Sequence, residues 1–139
     1  RAAAEASMEV ASITGKARPL IVGVTMLTSL GEEDLPAIGI AGKLGDQVKR
    51  LAELAQSSGL DGVVCSPHEI TLLREQCGKD FALVVPGIRP AGSEAGDQKR
   101  IMTPAEAAKL GATYMVIGRP ITEAPDPVQA VSHIAASIS

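Results

Sequence analysis

Residues 81–122 read FALVVPGIRPAGSEAGDQKRIMTPAEAAKLGATYMVIGRPIT and hold one arrangement twice. Two short apolar runs, residues 83–85 and 114–117, each lead into glycine followed closely by arginine: Pro86-Gly87-Ile88-Arg89-Pro90 and Gly118-Arg119-Pro120. Short continuous apolar runs of this kind read as buried strands. Between them a polar loop, 91–100, leads into Thr103-Pro104-Ala105-Glu106, a capping box with proline at the first helical position. The order is strand, loop, helix, strand.

Glycine at the carboxyl end of a strand lets backbone approach a ligand closely, and an arginine beside it offers a planar, permanently charged fork suited to phosphate. In a parallel β/α barrel, phosphate is commonly held by the loops after the seventh and eighth strands. The repeated Gly and Arg therefore predict the last quarter of such a barrel. A single arginine in this setting is as readily a solvated loop charge; the matched pair favours phosphate.

Working outward, residues 20–27 form another continuous apolar run rich in β-branched side chains, as expected for a strand buried on both faces of a parallel sheet. It ends in Thr28-Ser29, where a barrel strand meets its substrate. Ser29 also has the chemistry to cap the acidic turn Glu32-Glu33-Asp34. Residues 61–65 make a fourth strand, and the four strands are expected near 20–27, 61–65, 81–86 and 114–117. Helices are expected over residues 1–14, over 46–56 with Gly59 as stop, from Ser66-Pro67-His68-Glu69 to Cys77, from Thr103, and over 127–137 after Asp126-Pro127. Four strands alternating with five helices form an α/β series that begins in mid-unit. The expected fold is thus about half of a TIM-type (β/α)8 barrel, strands 5–8 with their helices, in which residues 1–139 form the carboxyl-terminal half of one domain.

The length agrees, because a complete barrel needs about 250 residues and this chain has 139. With Arg1 rather than methionine at the start, a fragment or processed chain is expected, and an amino-terminal half-barrel should cover its open sheet edges. The apolar fraction of 45% excludes a disordered tail. A net charge of −3 with interspersed signs, one Phe, one Tyr and no Trp leave no basic patch or stacking platform for nucleic acid. No apolar run reaches the roughly 20 residues of a membrane span. Cys65 and Cys77 have neither metal nor redox spacing and read as packing residues of a reduced, cytoplasmic protein. His68, in a first helical turn, and His133, inside the last helix, read as ordinary helix residues rather than bases. No cluster has metal-ligand spacing. Gly92 and Gly96 lie in no phosphate-cradling fingerprint, and the loop around them suits either a closing lid or an ordinary connection.

The segments PGIRP, GSEAGDQ-RIMTP and YMVIGRPIT, with GLDGVVCS and VTMLTS upstream, closely resemble the carboxyl-terminal half of the orotidine 5′-phosphate decarboxylase family, in order and along essentially the whole chain. The resemblance implies a cofactor-free decarboxylation of orotidine 5′-monophosphate to uridine 5′-monophosphate by a homodimeric barrel. It places Thr28 at the pyrimidine region, and Arg89, Gln98, Gly118 and Arg119 around the phosphate. The family's catalytic D-x-K-x-x-D motif belongs to the amino-terminal half, and no such motif occurs in these residues. No catalytic residue is therefore expected in this chain. Two other readings stay open on the residues: another phosphate-binding barrel enzyme of the sugar-phosphate synthase or aldolase type, and a non-catalytic phosphate-binding half-barrel module.

Overall fold

The structure, a computed structural model, describes residues 1–90 and 100–138. Four strands, β1 (Val22–Val24), β2 (Gly62–Val64), β3 (Ala82–Val85) and β4 (Tyr114–Met115), form one parallel sheet in the order of the sequence. Helices α1 (Ala2–Thr14), α2 (Leu44–Ser57), α3 (Ile70–Cys77), α4 (Pro104–Leu110), α5 (Arg119–Thr122) and α6 (Pro127–Ala136) accompany them. A parallel sheet whose strands are adjacent in chain order has no point at which the winding reverses. With crossovers of one hand, its helices then lie on a single face, as in a barrel wall and unlike a doubly wound sheet.

The core fills the space between that face and the helices. Val48 and Ala52 of α2, Leu73 of α3 and Ala107 of α4 pack with Val63, Leu83 and Val85 of the sheet, all nearly inaccessible. The aliphatic composition allows close approach. A side chain at Gly62 would collide with the Ala82 carbonyl oxygen of the neighbouring strand.

The expected elements are present, with three differences. The strands are shorter than 20–27, 61–65, 81–86 and 114–117, most at the edges, because β1 and β4 each have a ladder partner on one side only. Nor is the first strand buried on both faces: Val24 is 60% exposed. A sixth helix, α5, begins at Arg119, where an irregular strand-end loop was expected.

The proline-started helices form as their sequences dictate. Thr103 Oγ1 accepts from the Glu106 amide while Glu106 Oε2 accepts from the Thr103 hydroxyl and amide, and the hydroxyl's donation first, then the amide's, holds the exposed Glu106 carboxyl below its ordinary value. Asp126 caps α6 through the Gln129 amide. Ser66 opens a 3-10 turn, Pro67–Glu69, that runs into α3. Ser29 is not the cap of the acidic turn Glu32–Asp34. That place belongs to Gly31, whose amide donates to Asp34 Oδ2 at 2.8 Å, so the turn's own third residue supplies the oxygen. Among the described residues no helix is long and apolar enough to cross a membrane.

Candidate functional site

Loops at the carboxyl ends of parallel strands are where such folds hold ligands, because successive strands deliver side chains to one rim. Thr28, Arg89 and Arg119 each stand four residues beyond the last residue of β1, β3 and β4. His68 takes the same place after β2. In the ladder Val24, Val64, Val84 and Tyr114 stand level, so Thr28 and His68 lie four residues beyond that level and Arg89 and Arg119 one residue further, and since the strands are parallel all four belong to the same rim.

Their environments differ. Thr28 and Arg89 are buried, at 8% and 7% exposure. Gly87 turns the chain just after β3 with a positive φ of 76°, which a side chain would strain. The backbone of residues 87–89 then pairs with the returning chain: the Arg89 amide donates to the Met102 carbonyl at 2.9 Å, and the Met102 amide donates to that of Gly87 at 3.3 Å. This clasp places Arg89, whose Nη1 donates to the Ile88 carbonyl at 2.9 Å.

Gly118 and Arg119 are exposed. The φ of Gly118 is −100°, so its glycine is not required by a left-handed backbone, and a Cβ built there meets nothing within 4 Å. The rim is open at that point. Gln98 falls outside the described residues, as does most of the polar loop.

Two site-forming residues were not singled out from the sequence. Glu69, legible only as the last member of a capping box, is buried and does two things. Its Oε2 accepts from the Ser66 amide at 2.8 Å, and its Oε1 forms an ion pair with Nη1 of Arg100. Arg100, also buried, donates through Nη2 to the Leu27 carbonyl at 2.9 Å, next to Thr28. Burial pushes the Glu69 carboxyl up, against the opposing pull of Arg100 and the Ser66 amide. His68 Nε2 lies 3.1 Å from the Ile101 carbonyl oxygen, so the two residues that close the α3 cap hold residues 100 and 101 together. His68 thus has a structural partner. Only the Glu of the capping box was a usable signal, since nothing in the spacing joins positions 69 and 100.

The opposite rim carries structural ties. Arg18 donates to Asp61 Oδ1 at 2.7 Å and the Ile21 amide donates to Oδ2 at 2.6 Å, fastening the start of β1 to β2 and holding the Asp61 carboxyl below its ordinary value. Cys65 is packed into the core and its thiol is pushed up to about 12, chiefly by burial. It is no nucleophile.

Comparison with known proteins agrees with this geometry. A family model described as orotidine 5′-phosphate decarboxylase / HUMPS family matches residues 1–134. A protein of Actinobacillus pleuropneumoniae serotype 5b (strain L20) named orotidine 5′-phosphate decarboxylase is 59% identical over 124 residues, covering 89% of this chain and 54% of the relative. One of the same name from Moorella thermoacetica (strain ATCC 39073 / JCM 9320) is 55% identical over 139 residues, 99% of this chain and 55% of the relative. The chain spans about half the length of the curated relatives it matches.

Among solved structures, that of orotidine 5′-phosphate decarboxylase from Lactobacillus acidophilus superposes with a TM-score of 0.75 at 39% identity, over 90% of this chain and 51% of that one. The Pyrococcus horikoshii OT3 enzyme, at 23% identity and a TM-score of 0.60, shares the fold. The four-stranded sheet is thus about half of a TIM barrel. A match over nearly the whole chain, with relatives more than half identical, places this chain in the orotidine 5′-phosphate decarboxylase / HUMPS family.

Proposed function

We propose that this chain is the substrate-gripping half of an enzyme that decarboxylates orotidine 5′-monophosphate to uridine 5′-monophosphate, the last step of pyrimidine nucleotide synthesis. The observation that carries the reading is the shared offset of Thr28, Arg89 and Arg119 on three strands of one sheet. In this reading Arg119 and the open backbone at Gly118 receive the phosphate, and Arg89 adds a second guanidinium from the neighbouring strand. Barrels commonly hold phosphate where a short extra helix starts after the eighth strand, the position α5 would have in a completed barrel. Gln98, whose amide both donates and accepts, bridges base and phosphate, and Thr28 meets the pyrimidine.

A dianion between two guanidinium groups supplies binding energy far from the reacting carbon. That energy can hold the closed, water-poor arrangement in which the ring loses its carboxylate, so the phosphate grip lowers the barrier as well as retaining substrate. The groups that act on the ring belong to the other half-barrel, because residues 1–139 contain no D-x-K-x-x-D. No cofactor is needed. A homodimer in the cytoplasm completes the proposal.

The decarboxylase name of the relatives favours this reading over a sugar-phosphate synthase or a non-catalytic module. The test is turnover of orotidine 5′-monophosphate by the full-length protein and by residues 1–139 alone. The full-length protein should release carbon dioxide and the half-barrel should not. An inactive full-length protein that is folded and binds another sugar phosphate would overturn the proposal.

A further inference from the structure

Arg100 ties together three consecutive strand ends. Its Nη2 donates to the Leu27 carbonyl beyond β1, 2.9 Å away, and its Nη1 pairs with Glu69 beyond β2. Its own segment is clasped to the backbone of residues 87–89 beyond β3 through Met102. The two residues that the proposed function gives to the substrate on those ends, Thr28 and Arg89, directly follow two of the anchored points, Leu27 and Ile88. His68 holds the next residue, Ile101, from the other side.

Stability alone is a poor explanation for this side chain. A buried ion pair loses much of its attraction to desolvation, and the Arg100 Nε is buried with no hydrogen-bond partner among the described residues. A long guanidinium sealed at 9% exposure does provide two donors fixed at a set angle. Fixed distances between strand ends are what a two-point grip on one substrate requires, since misplacing a binding group by about 1 Å can cost on the order of 100-fold in rate.

We propose that Arg100, oriented by Glu69, is a positioning residue that sets the separation of Thr28 and Arg89 and thereby the fit of the nucleotide. The proposal rests on the decarboxylase reading for its substrate. Arg100 touches no substrate; it acts through the Leu27 carbonyl and the Met102 clasp.

The test uses the full-length protein, with kcat and KM for orotidine 5′-monophosphate and the thermal midpoint measured on each variant. In Arg100→Met, Glu69 keeps a buried charge without its partner, so both the midpoint and kcat/KM should fall. In Arg100→Met combined with Glu69→Gln, that charge is gone and the midpoint should recover. The kcat/KM should remain roughly 10- to 100-fold low because the Leu27 carbonyl still lacks its donor. Arg100→Lys keeps the charge and should fold normally, yet one ammonium cannot reproduce the fixed fork, and KM should stay raised. If kcat/KM recovers in step with the midpoint in the double variant, or if Arg100→Lys has wild-type KM, Arg100 only supports the fold and the proposal fails. An inactive wild-type protein would instead sink the functional reading, so the two failures are distinguishable.

Discussion

Arg74 donates to the Gly111 carbonyl oxygen through both Nε, at 2.9 Å, and Nη2, at 2.8 Å. The same guanidinium reaches the Phe81 carbonyl at 2.6 Å and Thr113 Oγ1 at 2.8 Å, so one side chain satisfies the end of α4 and the entries to β3 and β4. Arg74→Ala should therefore cost about 2–4 kcal/mol, as several charge-assisted bonds are lost together. Arg74→Lys should restore less than half, because an ammonium cannot span those acceptors. Urea unfolding of the full-length protein measures both. A change under about 0.5 kcal/mol, the range of ordinary surface substitutions, would show that water replaces the guanidinium without loss.

Arg119→Ala should lower kcat/KM for orotidine 5′-monophosphate roughly 10- to 150-fold, the range given by about 1.5–3 kcal/mol for a contact to a charged group. Orotidine without its phosphate should be indifferent to the change. Lysine at this position should rescue part of the loss, supplying charge but not a planar fork. Equal losses on both substrates would remove Arg119 from the phosphate site.

Residues 1–139 alone should not sediment as a compact monomer. Val24 and Leu27 are each 60% exposed and Tyr114 and Val116 each 50%, leaving apolar surface beside two unpaired sheet edges. Sedimentation velocity should show self-association that disappears when the remaining strands are present. A stable monomer at micromolar concentration would contradict this.

The Arg18 to Asp61 tie sets a pH dependence. Hydrogen bonds from the Arg18 guanidinium and then from the Ile21 amide lower the folded-state value of Asp61 from 3.8. Its stabilisation is therefore complete above that value and is lost as the pH falls through the lowered one. Asp61→Asn should be less stable than wild type at neutral pH, with the gap closing in strong acid. Glu69 acts in the opposite sense, since its raised value makes its contribution fade as the pH rises through it. Unfolding free energies of wild type and Asp61→Asn across the acid range give the sign directly; a gap that widens toward low pH would refute the assignment.

Local patterns made most of the architecture legible. Prolines after Ser66, Thr103 and Asp126 marked three helix starts because the capping oxygen, the missing amide and the first turn are all encoded within four residues. Arg89 and Arg119 were readable at this rim for a related reason, each following an apolar run and a glycine within a few residues, whereas Thr28 was picked out by the family resemblance. Glu69 and Arg100 were not, because their meeting depends on the packing of three units and no periodicity links positions 31 residues apart. Ser29 illustrates the opposite error. A hydroxyl near an acidic turn looked like its cap, yet the glycine two residues later lets the turn close on its own Asp34.

Because every pairing within these residues joins strands that are neighbours in the chain, assembly of this sheet can proceed one unit at a time. Only β2 and β3 gain ladder partners on both sides within these residues. Their amides should exchange with solvent slowest, and those of β1 and β4 should open first. The β2 to β3 unit is thus where order in the half-barrel should persist longest.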